Sequence, residues 1–106
     1  MKRYDQLIMD EFVITNPHGL DLRCARMMFQ TALRFYTAVE ISYNNIAANG
    51  KNLLDLLALG VSCGGKVNVT LFGSDALQAY RAIAQLFSRT FCPQAASDSQ
   101  ELVVAR

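Results

Sequence analysis

The apolar residues of this chain change period in a set order, and that order limits the possible folds more than any other feature. Gln6 to Thr15 is a strand-like run with Leu7, Met9, Phe12, Val13 and Ile14, cut off sharply by Asn16-Pro17. Ala25, Met28, Phe29 and Ala32 then recur at helical spacing. They predict a helix from about Leu22 to Arg34 that leaves Arg26, Met27, Gln30 and Arg34 outside. Val39, Ile41 and Tyr43 alternate with Glu40 and Ser42, as in a half-buried strand. Asn44-Asn45 reads as a two-residue hairpin turn, because asparagine tolerates positive φ, and a short return strand runs from Ile46 to about Ala48.

Asn52 next reads as a helix cap, with Asp55 in a weak capping-box position, and this short helix ends before Gly60. After a Gly64-Gly65 turn, Val67, Val69 and Leu71 alternate with Lys66, Asn68 and Thr70 in the last strand. Gly73-Ser74-Asp75 opens a third helix, Ala76 to about Ser88, whose apolar face is Ala79, Tyr80, Ile83, Leu86 and Phe87. The order is β-α-β-β-α-β-α. One four-stranded antiparallel sheet with the three helices on a single face is the economical way to bury these stripes, an α+β fold. Residues 1–88 are expected to form this domain, with 89–106 a flexible C-terminal tail.

Composition narrows the function. A chain of 106 residues with 52% hydrophobic and 18% charged residues is a globular domain with one modest core. A net charge of +1 and no Trp give no support for nucleic-acid binding. No apolar run approaches the ~20 residues of a membrane span, and no signal-peptide pattern opens the chain, so no membrane insertion is expected. Cys24, Cys63 and Cys92 lack metal-ligand spacing, so neither a metal site nor a cofactor is expected, and the cytoplasm is the expected location.

The residues with chemistry gather between Asn16 and Met28. Asp21 is a preferred N-cap, and a helix start offers unpaired N–H groups that attract anions. Arg23 and Arg26 add two positive charges within about a turn, and His18 is the lone histidine. Gly19-Leu20-Asp21-Leu22-Arg23-Cys24-Ala25 resembles the G-L-H-x-R-P-A motif that opens the first helix of HPr, the histidine phosphocarrier of the bacterial sugar phosphotransferase system. The histidine has become Asp21 and the proline Cys24. Further along, Asn49-Gly50-Lys51-Asn52-Leu53-Leu54 resembles the family's N-A-K-S-hydrophobic segment. Leu59-Gly60, the turn at Gly64 and the Gly73-x-Asp75 helix entry fall in step with it.

The resemblance implies the HPr open-faced β-sandwich, and protein partners such as enzyme I, IIA-type domains or a regulator. It implies no enzyme activity of the chain's own. It also implies two phosphate acceptors, a histidine and, in many Gram-positive versions, a serine; Asp21 and Asn52 stand in those places. Asp21 reads as a helix cap, as a fixed negative charge in place of a phosphorylated residue, or as an acceptor in its own right. Arg23 reads as an anion clamp or as a partner for Asp21. Cys24 reads as a filler or as a thiol activated by the helix start.

By resemblance, Asp21, Leu22, Arg23, Cys24, Arg26, Met27, Asn52, Leu53, Leu54 and Leu57 form a docking surface, apolar contacts ringed by basic residues. The reading that follows is a regulatory or interaction module docking partners through the starts of its first two helices, without normal histidine phosphotransfer. The alternatives are a working phosphocarrier that uses Asp21 or His18, and a small-molecule-binding α/β domain.

Overall fold

A computed structural model of the chain describes residues 5–90. The tail expected from residue 89 lies, from residue 91 onward, outside the described residues. The strands are β1 (Gln6–Val13), β2 (Ala38–Tyr43), β3 (Ile46–Asn49) and β4 (Lys66–Gly73), and the helices α1 (Leu22–Leu33), α2 (Leu53–Ala58) and α3 (Ala76–Gln85). They form a four-stranded sheet in the order β1-β4-β2-β3, every pairing antiparallel, with the helices on one face.

Alternation sets the faces. Val67, Val69 and Leu71 of β4, with Val39 and Ile41 of β2 and Ala48 of β3, are buried beneath the helices. Their neighbours Lys66, Asn68 and Glu40 stay exposed on the other side. Leu56 of α2 and Ile83 of α3 close the core from above, both fully buried. The β2–β3 turn has φ of 52° at Asn44 and 66° at Asn45, the doubly left-handed geometry that a tight hairpin needs.

The structure shifts two element ends. β1 stops at Val13, because its partner β4 begins opposite it at Lys66. Ile14 bonds instead to the glycine loop, its N–H donating to Gly65 O at 2.9 Å and its carbonyl accepting from Gly64 N at 2.7 Å. α3 gives way after Gln85 to a wider π-helical turn, Leu86–Thr90. Phe87 in that turn is buried and stacks on Phe12 of β1, ring centroids 4.4 Å apart.

α1 and α2 lie antiparallel, as two hydrogen bonds show. Leu20 N–H, beside the start of α1, donates to Val61 O beyond the end of α2 at 2.9 Å. At the far end the Lys51 ammonium donates to Phe35 O at 2.6 Å, placing a cation where α1 has unpaired carbonyls. The first two helix starts therefore sit at opposite ends of the pair.

Asp75 precedes α3 but makes no side-chain cap. Its carboxylate accepts from Tyr36 N at 3.0 Å, Thr37 N at 2.8 Å and the Thr37 hydroxyl, latching the turn after α1 to the start of α3. The Thr37 hydroxyl is the main influence holding the carboxyl below its ordinary value, and the two amides help it prevail over partial desolvation. A carboxyl depressed in the folded state contributes stability above its unfolded pKa, about 4. That contribution is lost as the pH falls through the lower folded value. In urea melts Asp75→Asn should start weaker at neutral pH and lose less on acidification below about pH 4. An acid slope unchanged by the substitution would rule the latch out as a contributor.

Candidate functional site

The site is built on a loop closed from several sides. Asn16 to Gly19 forms a turn in which Gly19 N–H donates to Asn16 O at 2.8 Å. The Asn16 side-chain amide donates back to Gly19 O at 2.7 Å. Gly19 is left-handed, with φ of 71°. A Cβ there would collide with the Val61 carbonyl oxygen, so the loop runs directly against the segment after α2. Leu20 is buried, and the next residue, Asp21, caps α1.

Asp21 is extended, and its Oδ1 accepts from Cys24 N–H at 3.0 Å, satisfying an orphan donor of the helix start. Partial burial pushes the carboxyl pKa up, but four influences together bring it below the ordinary carboxylate value. In order of strength they are the Cys24 amide, the Cys24 thiol, the Asn16 side chain and the positive charge of Arg23. The carboxylate is thus held ionised, chiefly by hydrogen bonding.

Of the residues singled out in the sequence, Asp21, Leu22, Arg23 and Arg26 line one open groove. Leu22, Arg23 and Arg26 are exposed, as is His18 in the preceding turn. Cys24 is buried, with its thiol directed at Asp21. That placement suits a filler and positioner better than an accessible reactive thiol. Met27, Leu53 and Leu57 are half-buried and pack against the core, whereas Leu54 is 75% exposed. The apolar part of the expected surface therefore narrows to Leu22 and Leu54, with Met27, Leu53 and Leu57 showing only an edge.

Asn52 caps α2, its Oδ1 accepting from Asp55 N–H at 3.1 Å. It stands beside the end of α1, next to the Lys51–Phe35 contact, and not beside Asp21. The structure brings Asp21, Leu22, Arg23 and Arg26 together and leaves Asn52 outside their groove.

Sequence reasoning passed over Asn16 as a loop signal. Its side chain is almost fully buried, donates to Gly19 O in the turn, and helps hold the Asp21 carboxyl below its ordinary value. Its place just before a proline, in a loop leading to a cap, is the signal that could have marked it. Among the described residues no group of His, Cys, Asp or Glu is clustered to hold a metal ion. No helix among them is long and apolar enough to cross a membrane.

Known proteins resemble the chain in sequence and fold. The family model described as "PTS HPr component phosphorylation site" matches residues 8–89. The multiphosphoryl transfer protein of Salmonella typhimurium is 38% identical over 84 residues, which cover 74% of this chain. The chain spans only 22% of that relative's length. Among solved structures, HPr of Thermoanaerobacter tengcongensis superposes with a TM-score of 0.78 at 28% identity, covering 83% of this chain and 99% of that one. The histidine-containing phosphocarrier protein of Mycoplasma superposes with a TM-score of 0.76 at 27% identity, covering 83% and 100%. With its sheet order, its capped first helix and a family match over most of its length, the chain belongs to the HPr family of the phosphotransferase system.

Proposed function

We propose that this HPr-family chain is a regulatory or interaction module in the cytoplasm, docking protein partners at the start of α1 without normal histidine phosphotransfer. By resemblance, Asp21 stands where the family carries its acceptor histidine. The observation that carries the proposal is the engagement of its carboxylate in the helix cap, where Oδ1 accepts from Cys24 N–H at 3.0 Å. A carboxylate serving as a cap stabilises the helix by about 0.5–2 kcal/mol over alanine, and an acyl phosphate on it would replace the charged acceptor of that bond by a weaker carbonyl oxygen. What the cap offers a partner is a fixed negative charge flanked by Arg23 and Arg26 and by the exposed Leu22. Such a mixed apolar and charged face suits a protein surface. The groove is open, which favours docking over enclosure of a small molecule. Enzyme I, IIA-type domains or a regulator are the partner classes.

The antiparallel helices refine this reading. Asn52 starts α2 at the end of the pair away from Asp21, so a partner that reaches both caps must span α2.

A working phosphocarrier is the second reading, favoured by an ionised carboxylate at Asp21 and an exposed imidazole at His18. Incubation with enzyme I and phosphoenolpyruvate, followed by intact-mass measurement, separates the two. No gain of one phosphate (~80 Da) is expected. A gain in a substantial fraction would overturn the proposal, with hydroxylamine sensitivity assigning it to Asp21 and acid lability alone to His18.

A further inference from the structure

We propose that the open edge of β1 is a pairing surface for a second copy of this chain, and that Asp10 holds that edge shut. Among the described residues β1 pairs only with β4. Just past its end, Ile14 turns both its N–H and its carbonyl toward the β4 side, bonding to Gly65 and Gly64. Strand geometry alternates, so Ile8, Asp10 and Phe12 also bond toward β4, while Leu7, Met9, Glu11 and Val13 turn their backbone groups outward. The Glu11 N–H agrees, since it donates to the carboxylate of its own neighbour, Asp10 Oδ1, at 2.8 Å.

The same outward residues carry apolar side chains onto the open face of the sheet. Leu7, Met9 and Val13 are 61%, 67% and 42% exposed. A bare edge of this kind is a template for another strand. For two copies paired antiparallel about a two-fold axis, one register gives all four outward residues a mate. Leu7 then lies opposite Val13 of the second copy, Met9 opposite Glu11, and Ile8 opposite Phe12. Asp10 falls on the axis, opposite its own counterpart. Neither Asp10 bonds across the axis, which brings their Cα atoms to about 4.5 Å, and like charges directly opposite are destabilising. The Asp10 carboxylate also occupies the Glu11 N–H, which this register needs for Met9. The Tyr80 hydroxyl of α3 holds the carboxylate in place, donating to Oδ2 at 2.6 Å. One side chain thus closes the edge both by charge and by hydrogen bonding.

Sedimentation of the full chain tests this. The parent should be a monomer, and Asp10→Ala should tighten self-association at least about tenfold. Amide exchange at Leu7 and Met9 should slow in the resulting dimer. Charge placed at Met9 reads the register, because that residue faces Glu11 of the second copy. In the Asp10→Ala background, Met9→Lys should tighten the dimer and Met9→Glu should loosen it. A folded Asp10→Ala chain that stays monomeric overturns the proposal, as does a dimer that responds alike to both changes at Met9. Leu7 and Met9 amides already protected in the parent overturn it too, since another occupant would then cover the edge. If Asp10→Ala does not fold, Asp10→Asn removes the charge alone, and association no tighter than the parent's would equally overturn the proposal.

Discussion

Gly19→Ala is expected to be the most damaging single-methyl change in the protein, costing roughly 2–4 kcal/mol in urea denaturation. Two effects add. The left-handed backbone, φ of 71°, is unfavourable to any residue with a Cβ. The new methyl would also collide with the Val61 carbonyl oxygen and stand 2.9 Å from Ser62 Cα. Both neighbours are backbone, so no side-chain rotation can relieve the clash. The bond from Leu20 N–H to Val61 O, 2.9 Å in the native loop, would have to lengthen, and Asp21 would move with it. Gly60→Ala is the control. Its φ of 63° is similar, but a Cβ there meets nothing within 4 Å, so only the conformational cost of about 1 kcal/mol is expected. Equal losses in the two variants would show that the close approach to Val61 is not what demands glycine.

The largest functional effect is expected from restoring the family acceptor. Asp21→His combined with Cys24→Pro should take phosphate from enzyme I and phosphoenolpyruvate, where the parent is expected to take none. The scaffold for it is in place, with Gly19 and Leu20 closing the loop and Arg23 exposed in the groove. Cys24 lies in the first turn of α1, where its N–H bonds to Asp21 and to no helix carbonyl. Proline there breaks no helical hydrogen bond, and once Asp21 is gone the lost donor has no carboxylate to serve. Asp21→Asn is the companion variant. It should keep most of the cap, since asparagine caps about as well as aspartate, and so change partner binding more than melting temperature. A folded double variant that takes no phosphate and binds enzyme I no better than the parent would defeat the idea. The docking surface itself, and not only the acceptor position, would then differ from that of a phosphocarrier.

Much of the fold was legible because its signals are local. The Asn44-Asn45 turn, the caps at Asp21 and Asn52 and the alternation of Val67, Val69 and Leu71 follow from backbone preferences and burial patterns within a few residues. The expected element order emerged from those, and the motif pointed to Asp21, Leu22, Arg23 and Arg26, which line one groove. Leu53, Leu57 and Met27 were harder to read. A short apolar helix shows which residues are hydrophobic, but not how much of each its neighbours cover.

The sequence by itself determined where strands, helices and turns begin, and which charged groups crowd the start of α1. Tertiary structure alone decided what those groups meet. The strand order β1-β4-β2-β3 and the antiparallel helix pair place Asn52 and Asp21 at opposite ends of the pair, although both read as equivalent caps. Asp75 reads as part of the entry into the third helix, yet its carboxylate accepts from Tyr36 and Thr37, nearly forty residues away, because packing sets the start of α3 beside the end of α1. Asn16 reads as a loop residue until the Val61 segment closes over the turn and shuts its amide away from water. Each difference has the same physical origin. Capping and turn preferences act through a few covalent neighbours, whereas burial and hydrogen-bond partners are assigned by segments that meet only when the chain has folded.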